Sequence, residues 1–197
     1  MNSHPSIRAA RKSDASEMVA LIDCAGYGMP LSVWQGMKTD EASALEVGRK
    51  RAMRDEGGFS YRNAHILESD GSVMGMLIGY PIDDPYDMGD MEKTPEAFRP
   101  LAELEAQVPG SWYVNVIAVH AEYRGRGLGT RLFGHAERIA RQTRNGTMSI
   151  IFESRNLKAY RLYERLGYRE AARRQRVTFP GDATGSEEWI LMTKLVS

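Results

Sequence analysis

The stretch WYVNVIAVHAEYRGRGLG, residues 112–129, decides how this chain is read. Its first eight residues are almost continuously apolar, the pattern of a strand buried on both faces. Its last six are Arg124, Gly125, Arg126, Gly127, Leu128 and Gly129, and a helix over residues 127–141 follows from Leu128, Leu132, Ala136, Ile139 and Ala140 recurring on one face. Three glycines thus bracket a helix start. The first N–H groups of a helix have no intrahelical partner and lie at the positive end of its dipole, so main chain alone can hold a phosphate there. Glycine permits close approach, and Arg124 and Arg126 add charge for a diphosphate. The segment has neither the Lys-Ser/Thr ending of a Walker loop nor the glycine spacing of a dinucleotide fingerprint. Taken alone, the six residues read equally as a glycine-rich turn with solvated arginines.

Outward from this junction, residues 147–152 read as the next strand, completing a strand-helix-strand unit. A helix over 156–165 stops before Gly167, and strands over 174–179 and 188–195 close the chain around a turn at 180–186. Upstream, a short strand at 6–10 is followed by a helix that Asp14 and Glu17 start. Residues 26–39, with Gly26, Gly28 and Pro30, break regularity, and 40–54 return to a helix with Ala42, Leu45, Ala52 and Met53 inward. Strands at 65–68 and 72–80 flank Asp70-Gly71, a pair suited to a type I′ turn because both central positions need positive φ. Residues 81–110 hold five of the chain's eight prolines and a short helix at 100–107, and read as an inserted surface lobe. Strands alternate with helices but two hairpins are present, so the expectation is one α/β domain over 1–197 with a mixed sheet.

The chain has 197 residues, of which 42% are hydrophobic, enough for the core of one domain. No run approaches the eighteen or so apolar residues of a membrane helix and the first residues are polar and basic, so a soluble, cytoplasmic protein without membrane contact is expected. One cysteine, Cys24, excludes an internal disulfide and a thiolate cluster for a metal, and is expected to be an inert, partly buried thiol. The 26 basic and 26 acidic residues cancel but are segregated. Between residues 122 and 176 stand fourteen basic residues against five acidic, whereas 81–109 hold eight acidic residues against Lys93 and Arg99. A polyanion suits the first segment and a cation the second. Sparse aromatic interleaving and zero net charge argue against nucleic acid as that polyanion.

Arg124, Gly127 and Gly129, directly after an apolar strand, match the Arg/Gln-x-x-Gly-x-Gly/Ala pyrophosphate motif of the GNAT N-acetyltransferase superfamily. Asn156, Ala159, Tyr163, Gly167 and Tyr168 match that family's Asn-x-x-Ala-x-x-x-Tyr-x-x-x-Gly-Phe/Tyr segment. The chain therefore resembles GNAT N-acetyltransferases, most specifically over residues 112–168, and least in 26–39 and in the 81–109 insert. The resemblance implies a strongly twisted mixed sheet flanked by helices, acetyl-CoA as co-substrate, no metal, and a small-molecule or peptide amine as acceptor. It also allows a homodimer. It further implies that the main chain at Ile117, Ala118 and Val119 pairs with the pantetheine arm, that Arg124, Gly125, Arg126, Gly127, Leu128 and Gly129 hold the diphosphate, that Asn156 contacts the coenzyme, and that Tyr163 lies near its sulfur.

The chemistry is consistent with those roles. An amine attacking a thioester generates an oxyanion, which a strand N–H can stabilise, and expels a thiolate, which a tyrosine hydroxyl can protonate. Tyr160 and Tyr163 read alternatively as rings packed at a sheet edge, and His120 as a polar residue closing a strand. Where family members often carry a carboxylate on the central strand, this chain has Tyr113 and Asn115. That leaves the base open between water relayed to Asp83, Asp84, Glu103 or Glu105 and an amine that is already neutral when bound. A non-catalytic acyl-CoA-binding module would keep Arg124, Gly127 and Gly129 and lack turnover.

Overall fold

Strand β4 (Trp112–Val119) is the axis about which the chain is organised in a computed structural model that describes residues 4–39, 42–183, 185 and 187–196. Before it come β1 (Ser6–Ala9), α1 (Ala15–Ala25), α2 (Met29–Met37), α3 (Ala44–Ala52), β2 (Ala64–Ser69), β3 (Ser72–Pro81) and α4 (Arg99–Glu105). After it come α5 (Leu128–Gln142), β5 (Thr147–Glu153), α6 (Leu157–Arg165), β6 (Arg169–Gln175) and β7 (Glu188–Leu195). The strands form a mixed seven-stranded sheet in the order β1-β2-β3-β4-β5-β7-β6. β4 and β5 run parallel, while β1/β2, β2/β3, β5/β7 and β6/β7 are antiparallel. No helix among the described residues is long and apolar enough to cross a membrane.

The chain groups into two compact units, which take the described parts of Met1–Tyr80 with Asn115–Ala136, and of Pro81–Val114 with Glu137–Ser197. In the first, Met18, Leu21 and Ile22 of α1 join Trp34 of α2 and Ile66, Met76 and Ile78 of the β2/β3 hairpin in one buried cluster. The hairpin turns as its sequence demands, with Asp70 at φ 50° and Gly71 at φ 77°.

Two expectations upstream need correction. Residues 26–39, expected to be irregular, contain α2: Tyr27 and Gly28 take left-handed conformations and make the turn, and Pro30 sits in the helix's first turn, where no N–H is required of it. The next helix is shorter than 40–54 and is capped by Ser43, whose hydroxyl accepts from the Glu46 N–H; Asp40 lies outside the described residues. Its inward face is Ala44, Gly48 and Ala52, while Leu45 is 55% exposed. Gly48 is required there, because a Cβ would lie 2.6 Å from the Trp34 ring.

In the second unit β5, β7 and β6 form a tight antiparallel set, with Glu153, Trp189 and Arg174 in register across it. The first of the two closing strands is Arg169–Gln175 rather than 174–179. Its sequence, REAARRQ, carries no apolar alternation because it is an exposed edge strand, where charge blocks pairing with another chain. Just beyond it, Arg176 is buried under the Trp189 ring and ion-paired to Glu153 at 3.0 Å and Asp182 at 3.2 Å. Residues 81–110 leave and rejoin the sheet at one point, where Ile82 N–H donates to Ser111 and Gly110 N–H donates to Ile82. Within that stretch α4 packs against β6 and β7, with Leu104 wholly buried.

Candidate active site

The glycine-rich junction forms a cradle of main chain. After a 3₁₀ turn at Ala121–Tyr123, Gly125 and Gly127 adopt φ 76° and φ 74°, conformations that other residues rarely take. The Arg131 N–H donates to the Gly127 carbonyl at 3.1 Å, so Gly127 opens α5 and the N–H groups of Leu128 and Gly129 belong to its first turn. A Cβ built on Gly125, Gly127 or Gly129 would meet nothing within 4 Å, so the space over the cradle is open and would accept a diphosphate. The arginines are tied to the loop's frame: Arg124 Nε donates to the Val119 carbonyl at 3.0 Å, and Arg126 Nη2 donates to the Glu122 carbonyl while stacking on Tyr123.

β4 leads into this cradle. Its ladder with β5 comprises Trp112↔Met148, Tyr113↔Ser149 and Val114↔Ile150, and β4 runs five residues further. The Ala118 carbonyl lies against Gly75 of β3, where a Cβ would be 2.6 Å from it, and the His120 N–H donates to Met74. Backbone groups alternate along a strand, so those of Ile117 and Val119 turn away from β3. Of these, the Val119 carbonyl accepts from Arg124. Asn115 donates from Nδ2 to the Tyr80 hydroxyl at 3.2 Å, and Gly58 leaves room for both, since a Cβ would lie 2.9 Å from that hydroxyl oxygen.

Cys24 is exposed rather than partly buried, and Arg124 Nη2 reaches its sulfur at 3.4 Å. The helical spacing of α1 carries no signal for this, because Cys24 falls in the last turn, off the buried stripe. His120 stands 3.5 Å from Glu17 of α1, a strand-closing residue with a carboxylate beside it.

In the second unit, Asn156 is the N-cap of α6, its Oδ1 accepting from the Ala159 N–H at 3.1 Å. The asparagine that begins the motif therefore has a helix-starting role visible in the fold. Tyr163 is buried, with its ring edge-on to Phe152 at 4.9 Å and tilted against Tyr168 at 6.1 Å. Tyr160 also meets Phe152 edge-on, at 6.1 Å, but is less buried.

The four carboxylates open as proton acceptors are sorted by their surroundings. Asp83 and Asp84 are exposed, and Glu103 is in an exposed ion pair with Arg174 at 2.9 Å. Glu105 is part-buried and accepts from the Tyr86 hydroxyl at 2.9 Å. Burial pushes its carboxyl up to about 6, against the opposing effect of that hydrogen bond. Tyr86 has no sequence signal, because nothing local ties it to a helix nineteen residues on.

With this geometry in place, a model of the acetyltransferase (GNAT) family matches residues 32–168. A search of curated proteins returns no significant match. Among solved structures, an acetyltransferase is similar over 98% of this chain and 100% of its own, at 18% identity and a TM-score of 0.67. The Drosophila melanogaster polyamine N-acetyltransferase, an enzyme that forms N-acetylagmatine, is similar over 98% and 100%, at 16% identity and a TM-score of 0.67. The ribosomal-protein-S18-alanine N-acetyltransferase of Escherichia coli is similar over 98% and 95%, at 18% identity and a TM-score of 0.59. At such identities the likeness is one of fold.

Proposed function

We propose, from the premise that the chain belongs to the GNAT family of acetyltransferases, that it transfers an acetyl group from acetyl-CoA to a primary amine by direct attack in a ternary complex. The observation that carries this reading is the cradle at the start of α5, where Gly125 and Gly127 at positive φ turn the main chain ahead of a fifteen-residue helix. Arg124, Gly125, Arg126, Gly127, Leu128 and Gly129 bind the diphosphate, and the β4 main chain at Ile117, Ala118 and Val119 runs along the pantetheine arm. Asn156 contacts the coenzyme, and Tyr163 gives its proton to the departing sulfur. In the attack, the amine nitrogen bonds to the thioester carbonyl carbon and the charge on its oxygen is met by a β4 N–H. The C–S bond then breaks, Tyr163 protonates the thiolate, and the proton lost by the nitrogen passes to water, from which Tyr163 recovers its own.

The acceptor is a cationic amine. Asp83, Asp84, Asp87 and Asp90 are all exposed on the 81–110 insert, and a field of one sign raises the local concentration of the opposite charge. The similarity in fold to an enzyme that forms N-acetylagmatine is compatible with that class. The experiment is release of free thiol from acetyl-CoA across polyamines, amino sugars, amino acids and peptide N-termini. Turnover with cationic amines is the expected result. Tight acetyl-CoA binding without thiol release from any of them would make the protein an acyl-CoA-binding module.

A further inference from the structure

Side chains alternate along β2, and those of Ala64 and Ile66 enter the buried cluster with α1. His65, between them, therefore faces the other side of the sheet, and there it meets His135 of α5. The two rings stand edge to face, with 4.6 Å between centroids and 65° between planes. This brings His65 Nδ1 to 3.0 Å from His135 Nε2. Both residues are partly buried, and both belong to the first compact unit. The acetyl-transfer reading uses neither of them.

We infer that this pair is a chelating site for a late first-row divalent cation, with His65 Nδ1 and His135 Nε2 as its protein ligands. The separation of the two nitrogens carries the inference. Nitrogens each about 2.0–2.1 Å from one ion lie about 2.9–3.4 Å apart for angles between a right angle and the tetrahedral one, and this pair stands at 3.0 Å. The fold sets that span, because the rings come from a strand and a helix seventy residues apart in sequence. Burial, then the neighbouring His135, hold His65 down to about 4, so its ring is a neutral ligand at neutral pH. As a hydrogen-bonded pair, one ring donates and the other accepts, so one facing lone pair is taken by a proton. A shared cation uses both lone pairs. The donor ring then carries its proton on its outer nitrogen, a tautomer shift with no net uptake or release. No group of three or more His, Cys, Asp and Glu suited to a metal occurs among the described residues, so water completes the coordination and the ion exchanges freely. Imidazole ligands without a carboxylate select Ni²⁺, Cu²⁺ and Zn²⁺ over Mg²⁺, Ca²⁺ and Mn²⁺. A bound ion ties β2 to α5, the helix whose start forms the glycine cradle.

The test titrates the full chain, free of any purification tag, with ZnCl₂, NiCl₂ and MgCl₂ at neutral pH and follows the thermal midpoint. Zn²⁺ and Ni²⁺ should raise Tm by roughly 3–6 °C at tenfold above Kd, and Mg²⁺ should not. The rise should vanish in His65→Gln and in His135→Gln and persist in His120→Gln, which removes the histidine beside Glu17. A measurement on the parent keeps the inference testable should either paired variant fail to fold. The chain has four histidines, so their ring ¹⁵N resonances can be resolved, and Zn²⁺ should shift those of His65 and His135 and leave those of His4 and His120 in place. A parent whose midpoint rises with neither Zn²⁺ nor Ni²⁺, a rise that survives both paired substitutions, or ¹⁵N shifts at His4 or His120 in place of the pair overturns the assignment. None of these readouts depends on acetyl transfer, so the site stands or falls apart from that reading.

Discussion

At Gly127 the backbone sits at φ 74°, so any side chain there strains the loop before a ligand arrives. Gly127→Asp should abolish acetyl-CoA binding by placing a carboxylate against the diphosphate, but part of its effect will be that strain. Gly129 separates the two causes. It lies in the first turn of α5 without positive φ, and a Cβ there meets nothing within 4 Å. A carboxylate in the first turn of a helix is favoured by the helix dipole, so Gly129→Asp should leave thermal stability unchanged or raised. Its acetyl-CoA dissociation constant should nevertheless rise by about tenfold or more, a change calorimetry would read; unchanged affinity would place the diphosphate elsewhere. Tyr163 allows a similar separation, because Tyr163→Phe keeps the ring that meets Phe152 at 4.9 Å and removes only the hydroxyl. Turnover should fall roughly 10²- to 10⁴-fold with coenzyme affinity nearly intact. An unchanged rate where chemistry limits turnover would assign the hydroxyl to structure.

Elements differ in how much of their cause is local. β4, α5 and α6 were legible because burial on one or both faces writes itself as an apolar run or a helical stripe, and because Asn156 at the start of α6 is a cap by residue type. α2 was not, since Gly28 and Pro30, read as breakers, are the turn and the first turn that allow the helix. β6 was missed because an exposed edge strand has no buried face to impose alternation; its pairing with β7 defines it. The candidate site divides in the same way, the glycine cradle being local in sequence while the Tyr86–Glu105 bond joins residues that only the fold brings together. The acidic segment between β3 and β4 carries its own prediction. Asp87 accepts from the Gly89 N–H and Asp90 from the Glu92 N–H, and asparagine retains an oxygen for both. The Asp90–Lys93 pair is exposed and stabilises little. Replacing Asp83, Asp84, Asp87 and Asp90 together by Asn should therefore spare stability. It should raise KM for a cationic amine and not for acetyl-CoA, and flatten the salt dependence of the reaction. An unchanged amine KM, or an anionic amino acid as best substrate, would refute electrostatic selection by this element.

Across the whole molecule, three groups make stability depend on pH, His65 and Asp14 with one sign and Glu105 with the other. His65 of β2 lies 3.0 Å from His135 of α5, ring nitrogen to ring nitrogen, and burial, then the neighbouring His135, push it down to about 4. In the unfolded chain it titrates near 6.5, so between those values the unfolded state binds more protons, and stability is lost as pH falls from about 6.5 to 4. The loss is on the order of 1–2 kcal/mol after allowance for partial exposure. Asp14, held below the ordinary carboxylate range first by its bond to Arg8, adds to it at lower pH, because a depressed carboxylate loses its stabilising charge as acid protonates it. Glu105 acts against both. Its carboxyl is raised to about 6 from 4.5, so between those values the folded state binds more protons and stability grows on acidification. Denaturant midpoints measured from pH 7 to pH 4 should thus decline, and decline less steeply in His65→Gln, which keeps a polar partner for His135 without a titrating ring. In Glu105→Gln the decline should be steeper than in the parent, by about 1 kcal/mol over that range. Parallel curves for parent and His65→Gln would mean that His65 titrates alike folded and unfolded, and that its burial against His135 carries no penalty for charge.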